Sequence, residues 1–106
     1  MAEFKHLFSP GKIGNLELKN RLIMPAMGSG MQAADGSVTD KLYHYHRVRA
    51  AGGTAMLTVE IAAVHPTSKG SGLSIYDDKY IPGLKRLADV IHQEGALACI
   101  QLWHAG

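Results

Sequence analysis

The residues best placed to do chemistry sit where apolar runs end. Gln101 closes the run Ala98-Cys99-Ile100-Gln101-Leu102. Its carboxamide offers two donors and an acceptor, enough to pair with a ring edge on which donors and acceptors alternate. Bonding to neighbouring backbone is the structural alternative. Glu60 ends a second run, Ala55-Met56-Leu57-Thr58-Val59. It reads first as half of a core ion pair with Arg21 or Arg47, and otherwise as a site carboxylate. A third run, Arg21-Leu22-Ile23-Met24, opens into Pro25-Ala26-Met27-Gly28-Ser29-Gly30. Small residues there let backbone approach a flat ligand closely, and the Met27 thioether would pack well on an aromatic face. A plain strand exit would have the same composition.

Two other patterns need weighing. The chain has six histidines, but His65, His92 and His104 lack a metal-ligand spacing. His44 and His46 stand two apart, which on a helix turns them to different faces. No metal site is expected, and His104 beside Trp103 reads as framing a site or bonding backbone. Gly28-Ser29-Gly30-Met31-Gln32-Ala33 matches the glycine pattern of dinucleotide-binding loops. That motif needs a helix starting within it to face the pyrophosphate. Here Asp35-Gly36 makes a turn first, and Glu60 follows Gly30 by about 30 residues, where a ribose-binding acid is expected at about 20.

The elements that must hold these residues follow from periodicity. The three apolar runs do not alternate between polar and apolar, and Gly or Pro flanks each. Such runs suit strands buried on both faces, as in parallel sheets. A helix is expected from Asp40, with Thr39 as N-cap, through Leu42, Tyr45 and Val48 to Gly52-Gly53. A second should open after Asp77-Asp78 with Pro82 in its first turn. It would carry Ile81, Leu84, Ala88 and Ile91 on one face and Lys85, Arg86 and Asp89 on the other, and end at Gly95. Lys12 to Leu18, with Gly14-Asn15 at its centre, reads as a tight hairpin. The order is a hairpin and then β-α-β-α-β. The runs open at Arg21, Ala55 and Ala98, a spacing that fits (β/α)8 units of roughly 31 residues with one longer loop. Three parallel strands cannot close a barrel and would leave edges uncovered. Residues 1–106 are therefore expected to be the N-terminal part of a longer α/β protein, with the hairpin as a plug beneath the barrel.

Composition narrows the class. The 106 residues are 46% hydrophobic and 19% charged, with a net charge of +2, values near those of globular proteins. Mixed charge gives no electrostatic case for nucleic acid or a membrane surface. No apolar run is long enough to span a bilayer. The single cysteine, Cys99, admits no internal disulfide and points to a reducing, cytoplasmic setting.

The ordered set of stretches carries a resemblance. Leu7-Phe8-Ser9-Pro10, Ile13 to Arg21, Met24 to Met27, Val59 to Val64, His92-Gln93-Glu94-Gly95 and Gln101 to Gly106 together resemble the old yellow enzyme family of NADH:flavin oxidoreductases. The likeness is closest to larger members similar to 2,4-dienoyl-CoA reductase, enoate reductases and bile-acid-inducible reductases. It implies the N-terminal part of a flavin-binding TIM barrel. The implied activity is hydride transfer from NAD(P)H through FMN to an activated C=C bond of an unsaturated carbonyl or enoyl substrate. Ala26, Met27 and Gly28 would lie against the flavin, with Pro25 shaping that exit. Ile61 would offer its backbone N–H to the flavin carbonyl edge, and Gln101 would bond the pyrimidine ring. No catalytic acid is implied within residues 1–106. The larger members imply a 4Fe-4S cluster and FAD region further along the chain, and the full-length protein is expected to form a homo-oligomer. Two departures stand out. Pro25 precedes Ala26, where many members have Ala-Pro or Ser-Pro before the methionine. Gly28 stands where many carry a Cys or Thr that touches the flavin. A non-redox barrel lyase or isomerase, and a small dinucleotide-binding module, remain as alternatives.

Overall fold

The computed structural model describes residues 3–106. Two short strands, β1 (Gly11–Ile13) and β2 (Leu16–Leu18), pair antiparallel as the expected hairpin. Gly14 takes the left-handed conformation that its turn requires, with φ +54°. The hairpin is fastened to the body by Asn20. Its amide donates to Gly53 O at 2.7 Å, and its Oδ1 accepts from the Leu22 N–H at 3.0 Å. Gly53 lies just before the second long run, so the hairpin sits at the N-terminal ends of the strands, away from their tips.

The main sheet holds four parallel-paired strands: β3 (Ile23–Met24), β4 (Met56–Ala63), β5 (Leu73–Ser74) and β6 (Leu97–Trp103). β4 is central. β3 and β5 pair with its first and second halves, and β6 pairs with it along its length. The strand at Ala55 was expected to end at Val59, but it runs on to Ala63, so Glu60 and Ile61 lie inside it. β5 was not expected at all. Its two residues carry no periodic signal, and Gly72 makes room for it. A Cβ on Gly72 would stand 2.6 Å from the Ile61 carbonyl oxygen.

Helices α1 (Asp40–Ala51) and α2 (Ile81–Gln93) follow the expected bounds. Thr39 caps α1 by accepting from the Leu42 N–H, and Pro82 occupies the first turn of α2. On α2, Leu87 and Ile91 are buried, while Lys85 and Asp89 pair at 2.6 Å on the outer face. Ile81, expected in the apolar stripe, is 57% exposed because it opens the first turn at the rim of the contact. α1 departs further from expectation. Its buried stripe is Leu42, Tyr43, His46 and Ala50, and Val48 is half exposed. Tyr43 was drawn inward by α2, where its hydroxyl donates to Gly83 O at 3.1 Å and its ring lies under Arg86.

The core forms between the two helices and one face of the sheet. Leu57, Val59 and Ala62 of β4, Leu73 of β5, Leu42 of α1 and Ile91 of α2 meet there. Burying each such Leu or Ile side chain contributes about 1.5–3 kcal/mol. The opposite face of the sheet shows Ile23, Cys99 and Gln101 to solvent. In a closed barrel that face is the interior, filled by layers of side chains from alternate strands.

His46 is buried at 1% exposure, and its Nδ1 donates to the Leu42 carbonyl at 3.1 Å. Burial pushes its pKa below the ordinary 6.5, against the opposing effects of that bond and of Glu60. The unfolded chain therefore binds the imidazole proton more readily than the folded one. The His46 contribution to stability is constant above the ordinary value of 6.5 and is lost as pH drops from there toward the lowered folded value. His46→Leu is expected to shrink the loss of Tm between pH 7.5 and 5.5. An unchanged loss would show that His46 does not contribute to it.

Candidate active site at the strand tips

Ligand sites in parallel α/β folds lie at the C-terminal ends of the strands, and three such ends adjoin here. Gln101 pairs in register with Ile61 across β6 and β4. Just before this pair the ladder slips. Val59 opposes Ile100, but Ile61 rather than Glu60 opposes Gln101. Glu60 is thus the extra residue of a β-bulge, a device that often re-aims side chains beside sites. The bulge also explains why Leu57, Val59 and Ala62 all reach the helical core despite an odd step between the last two.

The exit of β3 joins the same place from the other side. The Ser29 N–H donates to Glu60 Oε2 at 2.7 Å. Glu60 is 2% exposed, and none of the ion pairs among the described residues includes it. This corrects the expected core ion pair. Arg47 bonds Glu94 at 3.0 Å, and Arg21 reaches only the Pro10 carbonyl. The partner was a backbone amide 31 residues away, which side-chain charge alone could not reveal.

Pro25, Ala26, Met27 and Gly28 continue from β3 in that order. Pro25 and Met27 are exposed, and Ala26 is half-buried. Met27, at 54% exposure, offers an unpacked thioether. A Cβ built on Gly28 would meet no atom within 4 Å, so there is open space beside the strand tip. The Gln101 side chain is exposed on the open face and makes no hydrogen bond among the described residues. All six expected site residues therefore lie along three adjacent strand ends. Direct pairing links Ile61 to Gln101, and Glu60 links the β3 exit to that pair.

The glycine-rich stretch does not make a dinucleotide loop. The Ser29 Oγ accepts from the Met31 N–H at 3.1 Å, and Ala33 and Gly36 close a turn. The next helix begins only at Asp40, so it does not start within the glycine motif as a dinucleotide loop requires. On the neighbouring rim the rings of His65 and His104 stand 5.9 Å apart, a proximity that their separation in sequence hid. Among the described residues no three His, Cys, Asp or Glu side chains gather as a metal site, and no helix is long and apolar enough to cross a membrane.

Residues 6–106 match the model of the NADH:flavin oxidoreductase / NADH oxidase family. The chain belongs to that family. Among members, it is similar to an NADH oxidase of Thermoanaerobacter brockii, 40% identical over all of this chain and 17% of that protein. A metal reductase of Desulforamulus reducens is 44% identical over 94% of this chain and 15% of its own length. Solved structures agree. A 2-naphthoyl-CoA reductase in complex with 2-naphthoyl-CoA superposes with TM-score 0.92 at 34% identity, covering 98% of this chain and 16% of that one. An old yellow enzyme from a Pichia species superposes with TM-score 0.87 at 31% identity, over 95% of this chain and 27% of that one. The family fold identifies the sheet and helices as the N-terminal part of a TIM barrel. The chain spans under a third of each of these relatives.

Proposed function

We propose that residues 1–106 form the FMN-facing front of a longer flavin-dependent reductase barrel, which passes hydride from NAD(P)H to an activated C=C bond of an unsaturated carbonyl or enoyl compound. The observation that carries this reading is the joining of three strand tips: Gln101 beside Ile61, with the small-residue exit of β3 tied to the bulge between them. When bound, FMN supplies the hydride relay, and the protein supplies positioning and electrostatics.

The residues fit a flavin. The unpaired Gln101 carboxamide matches the alternating donors and acceptors of the flavin pyrimidine. Ile61 presents a backbone N–H beside the bulge, where one residue already stands out of the ladder. Gly28 leaves the space that a flat ring needs, and Met27 gives that ring a soft apolar neighbour. Pro25 has no N–H to extend the β3 ladder and so ends that strand. None of the six residues is an acid. The proton donor and the groups that grip the substrate carbonyl come from later strands. With Cys99 as its only cysteine in this stretch, we place the protein in the reducing cytoplasm. Likeness to the long relatives extends the proposal to a 4Fe-4S cluster and FAD region downstream, in a protein that forms homo-oligomers.

The complete gene product should be yellow, and its flavin absorption should bleach on adding NADH or NADPH. A colourless protein that gains no absorbance with added FMN would refute the reading. Gln101→Ala in that protein should weaken FMN binding about tenfold, the equivalent of roughly 1.4 kcal/mol. Unchanged affinity would remove Gln101 from the site.

A further inference from the structure

Among the described residues, Glu60 is the only buried acid, and its role is not explained by packing. A buried carboxyl group without a cation is costly unless hydrogen bonds satisfy it. The bond it accepts from the Ser29 N–H is short, at 2.7 Å, and Ser29 directly follows Met27-Gly28. Beyond Ser29 the loop is held by a relay of hydrogen bonds. The Ser29 Oγ accepts from the Met31 N–H, Thr39 donates its hydroxyl to the Met31 carbonyl, and the Thr39 Oγ1 accepts from the Leu42 N–H in α1. That relay fixes the far end of the loop to a helix. At the near end β3 is two residues long, with Met24 packed on the core, and past it the Ser29 N–H is held by Glu60.

Glu60 is also the bulge residue whose displacement brings Ile61, rather than Glu60 itself, opposite Gln101. One side chain thus couples the β3 exit to the pair on β4 and β6. We infer that Glu60 is a positioning residue for the flavin. Acting through the Ser29 amide, it holds the Met27-Gly28 backbone in place relative to Ile61 and Gln101. This inference rests on the FMN reading above.

The test uses the full-length protein stripped of flavin, with FMN affinity read by fluorescence quenching and the ring environment by the fine structure of the bound visible spectrum. Glu60→Leu removes the acceptor, whereas Glu60→Gln keeps an oxygen that can accept from Ser29. The Leu variant should bind FMN about tenfold more weakly with an altered spectrum, the scale of one lost buried hydrogen bond. The Gln variant should restore both. A folded Leu variant with wild-type affinity and spectrum, or a Gln variant as weak as Leu, overturns the assignment. Amide hydrogen exchange on the wild-type protein gives a check that needs no variant. Ser29 should exchange more slowly than Gly28 and Gly30, and equal rates also overturn the assignment. A wild-type protein that takes up no FMN overturns the flavin reading itself.

Discussion

Gly36→Ala is expected to destabilise the complete barrel protein by about 3 kcal/mol. Gly36 has φ +86°, a region that costs an L-residue about 1–2 kcal/mol. An added Cβ would also stand 2.1 Å from Ser74 Oγ and 3.0 Å from the Ser74 backbone nitrogen. Overpacking of this kind costs about 1–3 kcal/mol. The clash cannot be relieved cheaply, because the Gly36 carbonyl accepts from the Ser74 N–H at 2.9 Å and so holds the two backbones together. Tyr80 reinforces the same clasp by donating its hydroxyl to the Asp35 carbonyl at 2.8 Å. Gly14→Ala is the control. It carries φ +54° but has no atom within 4 Å of an added Cβ, so only the conformational cost of about 1 kcal/mol applies. Urea denaturation curves of the two variants measure the difference. Equal midpoints would show that the Gly36–Ser74 approach can relax.

Leu57→Ala should cost a similar amount, about 3 kcal/mol, through lost burial and the cavity left behind. Leu57 is fully buried on the central strand, in the cluster that joins both helices to the sheet. The same strand carries Glu60 and Ile61, so its looser packing should also weaken FMN retention. A shift in the urea midpoint without a change in slope would confirm a loss of stability alone. A loss below about 1 kcal/mol would mean that neighbouring side chains collapse into the space.

The helices were legible because their signals are local. Thr39 satisfies the Leu42 N–H three residues away, and Pro82 sits where α2 has an N–H to spare. The hairpin was legible for the same reason, since its turn needs a residue such as Gly14 at positive φ. The faces of α1 were not. Tyr43 and Val48 have apolar character enough for either side, and the position of α2 decided which one turned inward. The six residues proposed for the flavin site follow from strand ends and family likeness, whereas the side chain that links them, Glu60, pairs with the Ser29 amide rather than with the arginine its charge suggests.

From sequence alone came the hairpin, the β-α-β-α-β order of the longer elements, the Thr39 cap of α1 and the parallel class of sheet. These follow from propensity, periodicity and turn chemistry, which act over a few residues. Only the tertiary structure decided the register slip at Glu60, the short strand β5, the buried stripe of α1 and the Ser29–Glu60 bond. Each of those depends on which distant backbone arrives alongside, and a hydrogen bond across 31 residues leaves no mark in the local pattern at either end.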